Sequence, residues 1–186
     1  DYAVDRLTES DDESATRRRH AEYFLKVAHH GSVEIRGKDA GKAVSRLETE
    51  SDNLWAAFDW ALSASEIDLA LGLAVELAWY WWAQSFYREG RYWLERLLVA
   101  PGGSHVLRAW AYAVAGAVAA QLGDLESAEA RLQQAMTGPG AGEDVEQQIF
   151  TLFHLGRLRS MMGTPLEAVS YLEQAVAGCS HAGDDW

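Results

Sequence analysis

One segment that contains glycine and lysine is the first candidate for chemistry. It runs from Gly31 to Asp39 as GSVEIRGKD, so two glycines precede a lysine, as in phosphate-binding loops of the Walker A type. Five residues instead of four separate the glycines, Asp39 replaces the Ser or Thr that binds magnesium, and no apolar strand precedes the segment. We therefore predict a loop between helices, with Arg36 and Lys38 in solvent and no bound cofactor.

The histidines do not form a metal-site pattern in the sequence. His29 and His30 are adjacent and point about 100° apart on a helix, whereas helical metal ligands lie three or four residues apart. The other histidines have no cysteine neighbours: His20, His105, His154 and His181. We predict surface or capping roles for them. No glycine-flanked nucleophile appears either, so we expect no catalytic residue and no enzyme.

The charged residues argue against nucleic acid and membranes as partners. The chain has 28 acidic and 16 basic residues, a net charge of −12, so phosphate backbones and anionic lipids are repelled on average. The basic run Arg17 to Arg19 directly follows acidic and polar residues that begin at Asp11. This neighbourhood favours a solvated helix start or an interdomain contact. We expect no direct nucleic-acid binding by this segment.

Length and composition indicate a chain that folds. Its 186 residues are 48% hydrophobic and include three prolines, which is enough apolar surface for a core. The single cysteine, Cys179, cannot form an internal disulfide, and this fits a reducing cytoplasm. No apolar stretch is long enough to cross about 30 Å of hydrocarbon. Because the chain begins at Asp1 without a methionine, we interpret it as a piece of a longer cytoplasmic protein.

Helical periodicity runs through almost the whole chain. Glycine and proline breakers fall between the periodic segments and not inside them, so we predict an all-α fold. The predicted helices span residues 14–30, 40–62, 66–84, 88–100, 105–122, 125–137, 144–162 and 165–178.

Two segments match one template at a step of 40 residues. The step leads from Gly116 to Gly156 and from Ala128 to Ala168, and small residues at such positions let two helices approach closely. The same step relates further pairs: Tyr112 and Leu152, Gly123 and Gly163, Leu132 and Leu172, Ala135 and Ala175. This pattern resembles the tetratricopeptide repeat, a hairpin of two helices.

A weaker, earlier copy contains Trp81 and Gly90. We therefore predict a right-handed superhelix of three tetratricopeptide-like hairpins within residues 66–186, because three repeats are about the minimum for a stable array. The hairpins are expected at about 66–100, 105–137 and 144–178. The alternative is an ordinary helical bundle in which the glycine and alanine spacing arises by chance.

Three further segments resemble signatures of a known family. They read RRHAEYF at 18–24, RLE followed by DNLWAAFDWAL within 46–62, and REGRYWLER at 88–96. In this order they are similar to the repeat region of bacterial multidomain STAND ATPase regulators. These include large LuxR-type and antibiotic-regulatory-protein-type transcription factors and related predicted ATPases.

The resemblance implies a domain order. In that family the repeats follow a nucleotide-binding domain and a winged helix, and residues 1–7 resemble the last helix of the winged module. Residues 1–16 are therefore expected to be the end of that module or a linker, and residues 17–65 an N-terminal helical capping region. DNA recognition and ATP hydrolysis would belong to other domains of the parent chain.

The tryptophans indicate a binding surface. Three of them, Trp79, Trp81 and Trp82, lie within one helical turn and cannot all point inward. The repeat register places Trp81 between helices and puts other side chains on the concave groove: Trp79, Trp82, Trp110, Gln121, Phe150, Phe153 and Arg157. Such a groove suits a protein domain, a peptide or a small-molecule effector. The alternative is that neighbouring helices or missing parent domains bury these rings.

These observations favour a non-catalytic sensing and protein-interaction domain of a bacterial, ATP-dependent transcriptional regulator. Its groove would bind an effector or another part of the same chain. A stand-alone tetratricopeptide scaffold or adaptor that binds protein partners is the alternative. The hairpin at 144–178 would ordinarily stack on another, so an exposed apolar end could also pair two copies in a homodimer.

Overall fold

The computed structural model describes the backbone of residues 2–182 and the side chains of residues 12–180. Every regular element in that part is an α-helix, so the prediction of an all-α fold is confirmed. The side chains of the segment that resembles a winged-helix end, residues 1–7, and of His181 lie outside the described residues. The helices are α1 (Tyr2–Ile35), α2 (Ala40–Thr49), α3 (Ser51–Ser63), α4 (Ile67–Gln84), α5 (Tyr87–Val99), α6 (His105–Gln121), α7 (Leu125–Thr137), α8 (Val145–Met161) and α9 (Pro165–Ala182).

The predicted helix at 40–62 is wrong in one respect, because it is two helices. Glu50 separates α2 from α3, and its carboxylate accepts a hydrogen bond of 2.8 Å from the Asn53 side chain. Thr49 and Ser51 flank the break. Side chains of these types readily hydrogen-bond to nearby backbone groups outside a regular helix, and they therefore favour helix ends. Periodicity continues across the break, which explains why the pattern did not reveal it.

The predicted loop at 31–39 is also wrong over its first five residues. Helix α1 continues through Gly31 to Ile35, and only residues 36–39 turn. A Cβ at Gly31 would lie 2.7 Å from Cδ1 of Leu47, a fully buried residue of α2. The glycine therefore lets α2 pack closely on α1, and its backbone is held in a helix and not in a phosphate-binding loop.

The chain divides into two units, residues 1–85 and 86–186. The division falls between α4 and α5, the helices that the predicted hairpin 66–100 would pair. In the first unit, α1 packs against α2, α3 and α4. Its core contains fully buried side chains from three helices: Leu47, Leu54, Phe58, Leu71, Leu77 and Trp81.

The second unit contains two helical hairpins, α6 with α7 and α8 with α9. Within the first hairpin, a Cβ at Gly116 would lie 3.0 Å from the carbonyl oxygen of Ala128. Forty residues later, a Cβ at Gly156 would lie 3.2 Å from the carbonyl oxygen of Ala168. The same close approach of backbones therefore occurs in both hairpins at the step that the sequence predicts.

Helix α8 packs on both α6 and α7. Leu155 and Leu158 of α8 join a buried apolar cluster with Leu132 of α7. An ion pair of 2.5 Å between Arg159 and Glu129 closes the edge of this contact. These contacts set the rotation of α8 and so determine which of its side chains face solvent.

The repeat assignment makes a prediction for Ala128, which is fully buried where α7 approaches α6. Replacing Ala128 with Leu should overpack the hairpin and lower the free energy of unfolding by roughly 1 to 3 kcal/mol. The same replacement at exposed Glu126 on α7 is the matched control and should be nearly neutral. Urea denaturation measures both. Equal midpoints for Ala128→Leu and Glu126→Leu would contradict the close approach.

Candidate functional site

The predicted groove residues lie in both units, and each unit is described by itself. Trp79 and Trp82 belong to α4 of the first unit. The other five belong to α6 and α8 of the second unit: Trp110, Gln121, Phe150, Phe153 and Arg157. No finding tests a shared concave groove, and it stays a prediction.

In the first unit, Trp79 and Trp82 are half-buried, whereas Trp81 is fully buried. The prediction that Trp81 packs between helices is confirmed, because its ring stacks on Trp55 of α3 with centroids 6.4 Å apart and an interplanar angle of 9°. The guanidinium of Arg36 lies 5.9 Å from the centroid of the Trp79 ring, within range of a cation–π contact. Trp79 therefore already has a cationic neighbour within its unit.

In the second unit, Asp144 connects the predicted residues Trp110 and Phe150. One carboxylate oxygen of Asp144 accepts a hydrogen bond of 3.1 Å from Nε1 of Trp110. The other caps the N-terminus of α8, because it accepts a hydrogen bond of 2.9 Å from the backbone N–H of Gln147. The Trp110 ring then lies 5.6 Å from the Phe150 ring. Sequence reasoning missed Asp144, whose only signal was its place before a helix.

The predicted residues of α8 divide between the interior and the surface. Phe150 is only 6% exposed, and its ring lies 4.4 Å from that of His154. Phe153 is 45% exposed, and the half-buried Arg157 places its guanidinium 5.9 Å from the Phe153 ring. Phe153 and Arg157 thus form a small aromatic and cationic patch, and Phe150 supports it from the interior. Gln121 is half-buried at the last residue of α6.

The prediction of a surface or capping role is wrong for His154, which is buried. Burial, and to a lesser degree the positive charge of Arg157, lowers the pKa of the imidazole to about 3. The imidazole is therefore neutral at physiological pH. Because this pKa lies far below 7, His154 is poorly suited to proton transfer at physiological pH.

His154 continues a line of buried polar side chains along α8. The side-chain amide of Gln147 donates a hydrogen bond of 2.8 Å to the hydroxyl of Thr151. That hydroxyl donates a hydrogen bond of 2.8 Å to the backbone carbonyl oxygen of Gln147. The same amide also donates a hydrogen bond of 3.4 Å to the backbone carbonyl oxygen of Ala135 on α7. Spacings of four and three residues put these side chains on one face of α8. The spacing of Gln147, Thr151 and His154 is the signal in the sequence for this polar interior face.

Two cavities offer little convergent chemistry. One of about 300 Å³ in the first unit is lined by Lys26 and Arg46 but also by Glu50, and Arg46 is already paired with Glu34. Another, of about 310 Å³, lies beside the turn after α5, where Arg108 donates to backbone carbonyls that it holds in place. Among the described residues, no three His, Cys, Asp or Glu side chains are grouped to hold a metal ion.

None of the described helices combines the length and the apolarity that crossing a lipid bilayer requires.

The chain is similar to mycobacterial proteins named as transcriptional regulators. It is 35% identical over 97 residues to "Putative HTH-type transcriptional regulator Rv0890c" of Mycobacterium tuberculosis and equally to Mb0914c, of the same description, in Mycobacterium bovis. The aligned residues are 52% of this chain and 11% of each relative, so the chain spans about a tenth of their length. No family model and no solved structure matches the chain.

The buried imidazole predicts a pH dependence of stability. The pKa of His154 is lower in the folded protein than in the unfolded chain, so below about pH 6.5 the unfolded state binds a proton that the folded state does not. This group alone should cost about 1 kcal/mol of stability between pH 7 and pH 5.5. In His154→Leu that loss should vanish, and in the exposed control His30→Leu it should persist. Urea denaturation at both pH values measures it, and an unchanged pH dependence in His154→Leu would refute the assignment.

The helical setting of Gly31 leads to a second prediction. Isothermal titration of the chain with ATP and magnesium should give no saturable heat, because residues 31–35 cannot wrap a phosphate while they form a helix packed on Leu47. Lys38→Ala should give the same flat titration. Saturable heat that disappears in Lys38→Ala would contradict this and restore the segment as a nucleotide site.

Proposed function

We propose that this chain is a non-catalytic sensing and protein-interaction domain of a bacterial multidomain transcriptional regulator. The observation that carries the proposal is its similarity over 97 residues to proteins named as HTH-type transcriptional regulators. Those proteins are about nine times longer than the aligned segment, which leaves room for separate DNA-binding and other domains. The part similar to this chain would then receive a signal and not read DNA.

The patch of Phe153 and Arg157 on α8 is the proposed contact surface. An exposed ring beside a guanidinium can pack against apolar groups and bind a carboxylate at the same time, as interface anchors commonly do. Trp79 with Arg36 offers the same pairing in the first unit. These pairs support binding of a peptide, a protein segment or a small anionic effector.

The proposed mechanism is a shift of population and involves no chemical step. The effector would bind one arrangement of the parent protein more tightly than another, and this differential affinity would change the fraction that is active. By resemblance to STAND regulators, the inactive arrangement would be an autoinhibited ATPase.

Substitutions on the patch test this function in the full-length regulator. Phe153→Ala and Arg157→Ala should change basal or effector-dependent reporter output at least several-fold, while circular dichroism stays unchanged because both side chains reach solvent. Val145→Ala is the matched control, since Val145 is an apolar residue of similar exposure in the first turn of α8, about two turns away from Phe153. Unchanged output in both patch variants would refute the proposed contact surface.

The tryptophans of α4 extend the test. Trp81→Ala should lower the free energy of unfolding by about 3 to 5 kcal/mol, as truncation of a buried aromatic does, and Trp82→Ala clearly less. Trp82→Ala should alter reporter output with the fold retained. If it unfolds the chain as severely as Trp81→Ala, Trp82 is a core residue. If neither the patch nor Trp82 affects regulation but partner proteins are still captured, the chain acts as a scaffold.

A further inference from the structure

Helix α9 presents apolar side chains to solvent on one flank. Its inner side packs on α8, with Ala168 and Ala175 buried. On the outer side, Val169 is 52% exposed and Val176 is 66% exposed. Seven residues apart, the two valines lie one above the other on the helix, with Glu173 between them.

The preceding hairpin shows what covers the equivalent flank. Forty residues before Val169 and Val176 stand Glu129 and Met136 of α7. Glu129 pairs with Arg159 of α8 at 2.5 Å, and Met136 packs against the buried cluster that α8 helps to form. On α7, therefore, this flank is the contact surface for the first helix of the next hairpin.

Charge distinguishes a helix of that kind from a second copy of this chain. The described side chains of α9 include two carboxylates and no lysine or arginine, and Glu167 is already paired with Arg159. Two copies joined through this flank would bring Glu173 near its own counterpart in a chain whose net charge is −12. A helix with a basic side chain would instead pair with Glu173, which lies one turn from Val169, the counterpart of the Glu129 that pairs with Arg159 on α7.

We propose that the flank of α9 formed by Val169, Glu173 and Val176 is the docking surface for one further amphipathic helix. That helix presents an apolar stripe to the valines and a lysine or arginine to Glu173. This inference does not depend on the proposed function, because the patch of Phe153 and Arg157 is a different surface on another helix.

A tandem extension tests the docking surface. Residues 145–182 are appended after Asp184, so that Asp184 precedes the second copy of α8 as Asp144 precedes the first. The appended helix carries the apolar stripe and arginines of α8 and is held at high effective concentration. Hydrogen exchange of the α9 backbone amides, measured by mass spectrometry, should slow about tenfold relative to the unextended chain, because an added interface suppresses local opening.

Two variants and one mass measurement decide the outcome. Val176→Glu should abolish the slowing in the extended chain and leave exchange in the unextended chain unchanged. Gln174→Glu, at an exposed position on another side of α9, should keep the slowing. Equal exchange with and without the extension, or equal effects of both variants, would overturn the proposal. A dimer of the unextended chain that Val176→Glu dissociates, seen by light scattering, would overturn it in favour of a second copy.

Discussion

The close approach of helix backbones at two glycines is the constraint on which the second unit depends. At Gly116 and Gly156, the space that a Cβ would need is already occupied by Leu132 and Leu172 of the facing helices. Any side chain there would separate the hairpin and disturb the buried cluster that α8 shares with α6 and α7. Because that cluster sets the rotation of α8, it also sets Phe150 inward and Phe153 outward.

The polar interior face of α8 makes the same arrangement specific. Gln147 and Thr151 hydrogen-bond within α8, and Gln147 also donates to the carbonyl oxygen of Ala135 on α7, a contact that rotating α8 would break. His154 adds a neutral imidazole beneath the patch, held uncharged by burial and by Arg157. The patch therefore rests on a rigid support, which lowers the entropic cost of binding a ligand.

The sequence alone was enough to predict the all-α fold and the helix ends between the end of α5 and the start of α9, because glycine and proline mark those ends. It did not reveal the break at Glu50, since apolar periodicity continues across it. The burial of His154 was also missed, because a lone histidine carries no sign of its surroundings. Within the candidate site, the burial of Trp81 was predicted correctly, whereas Asp144, which links Trp110 to α8, was not anticipated.

The distribution of cations connects both proposed surfaces. Several arginines in the described part of the chain pair with carboxylates, as Arg159 does with Glu129. Arg157 and Arg36 instead lie over aromatic rings, as Arg96 and Arg131 also do. There the charge is less neutralised than in an ion pair and remains able to attract an anion. On α9 the reverse holds, since Glu173 stands among apolar side chains without a cation on its own helix. In an acidic chain, complementary charge would therefore direct the proposed anionic ligand to α8 and the proposed basic helix to α9, so the two surfaces need not compete for one partner.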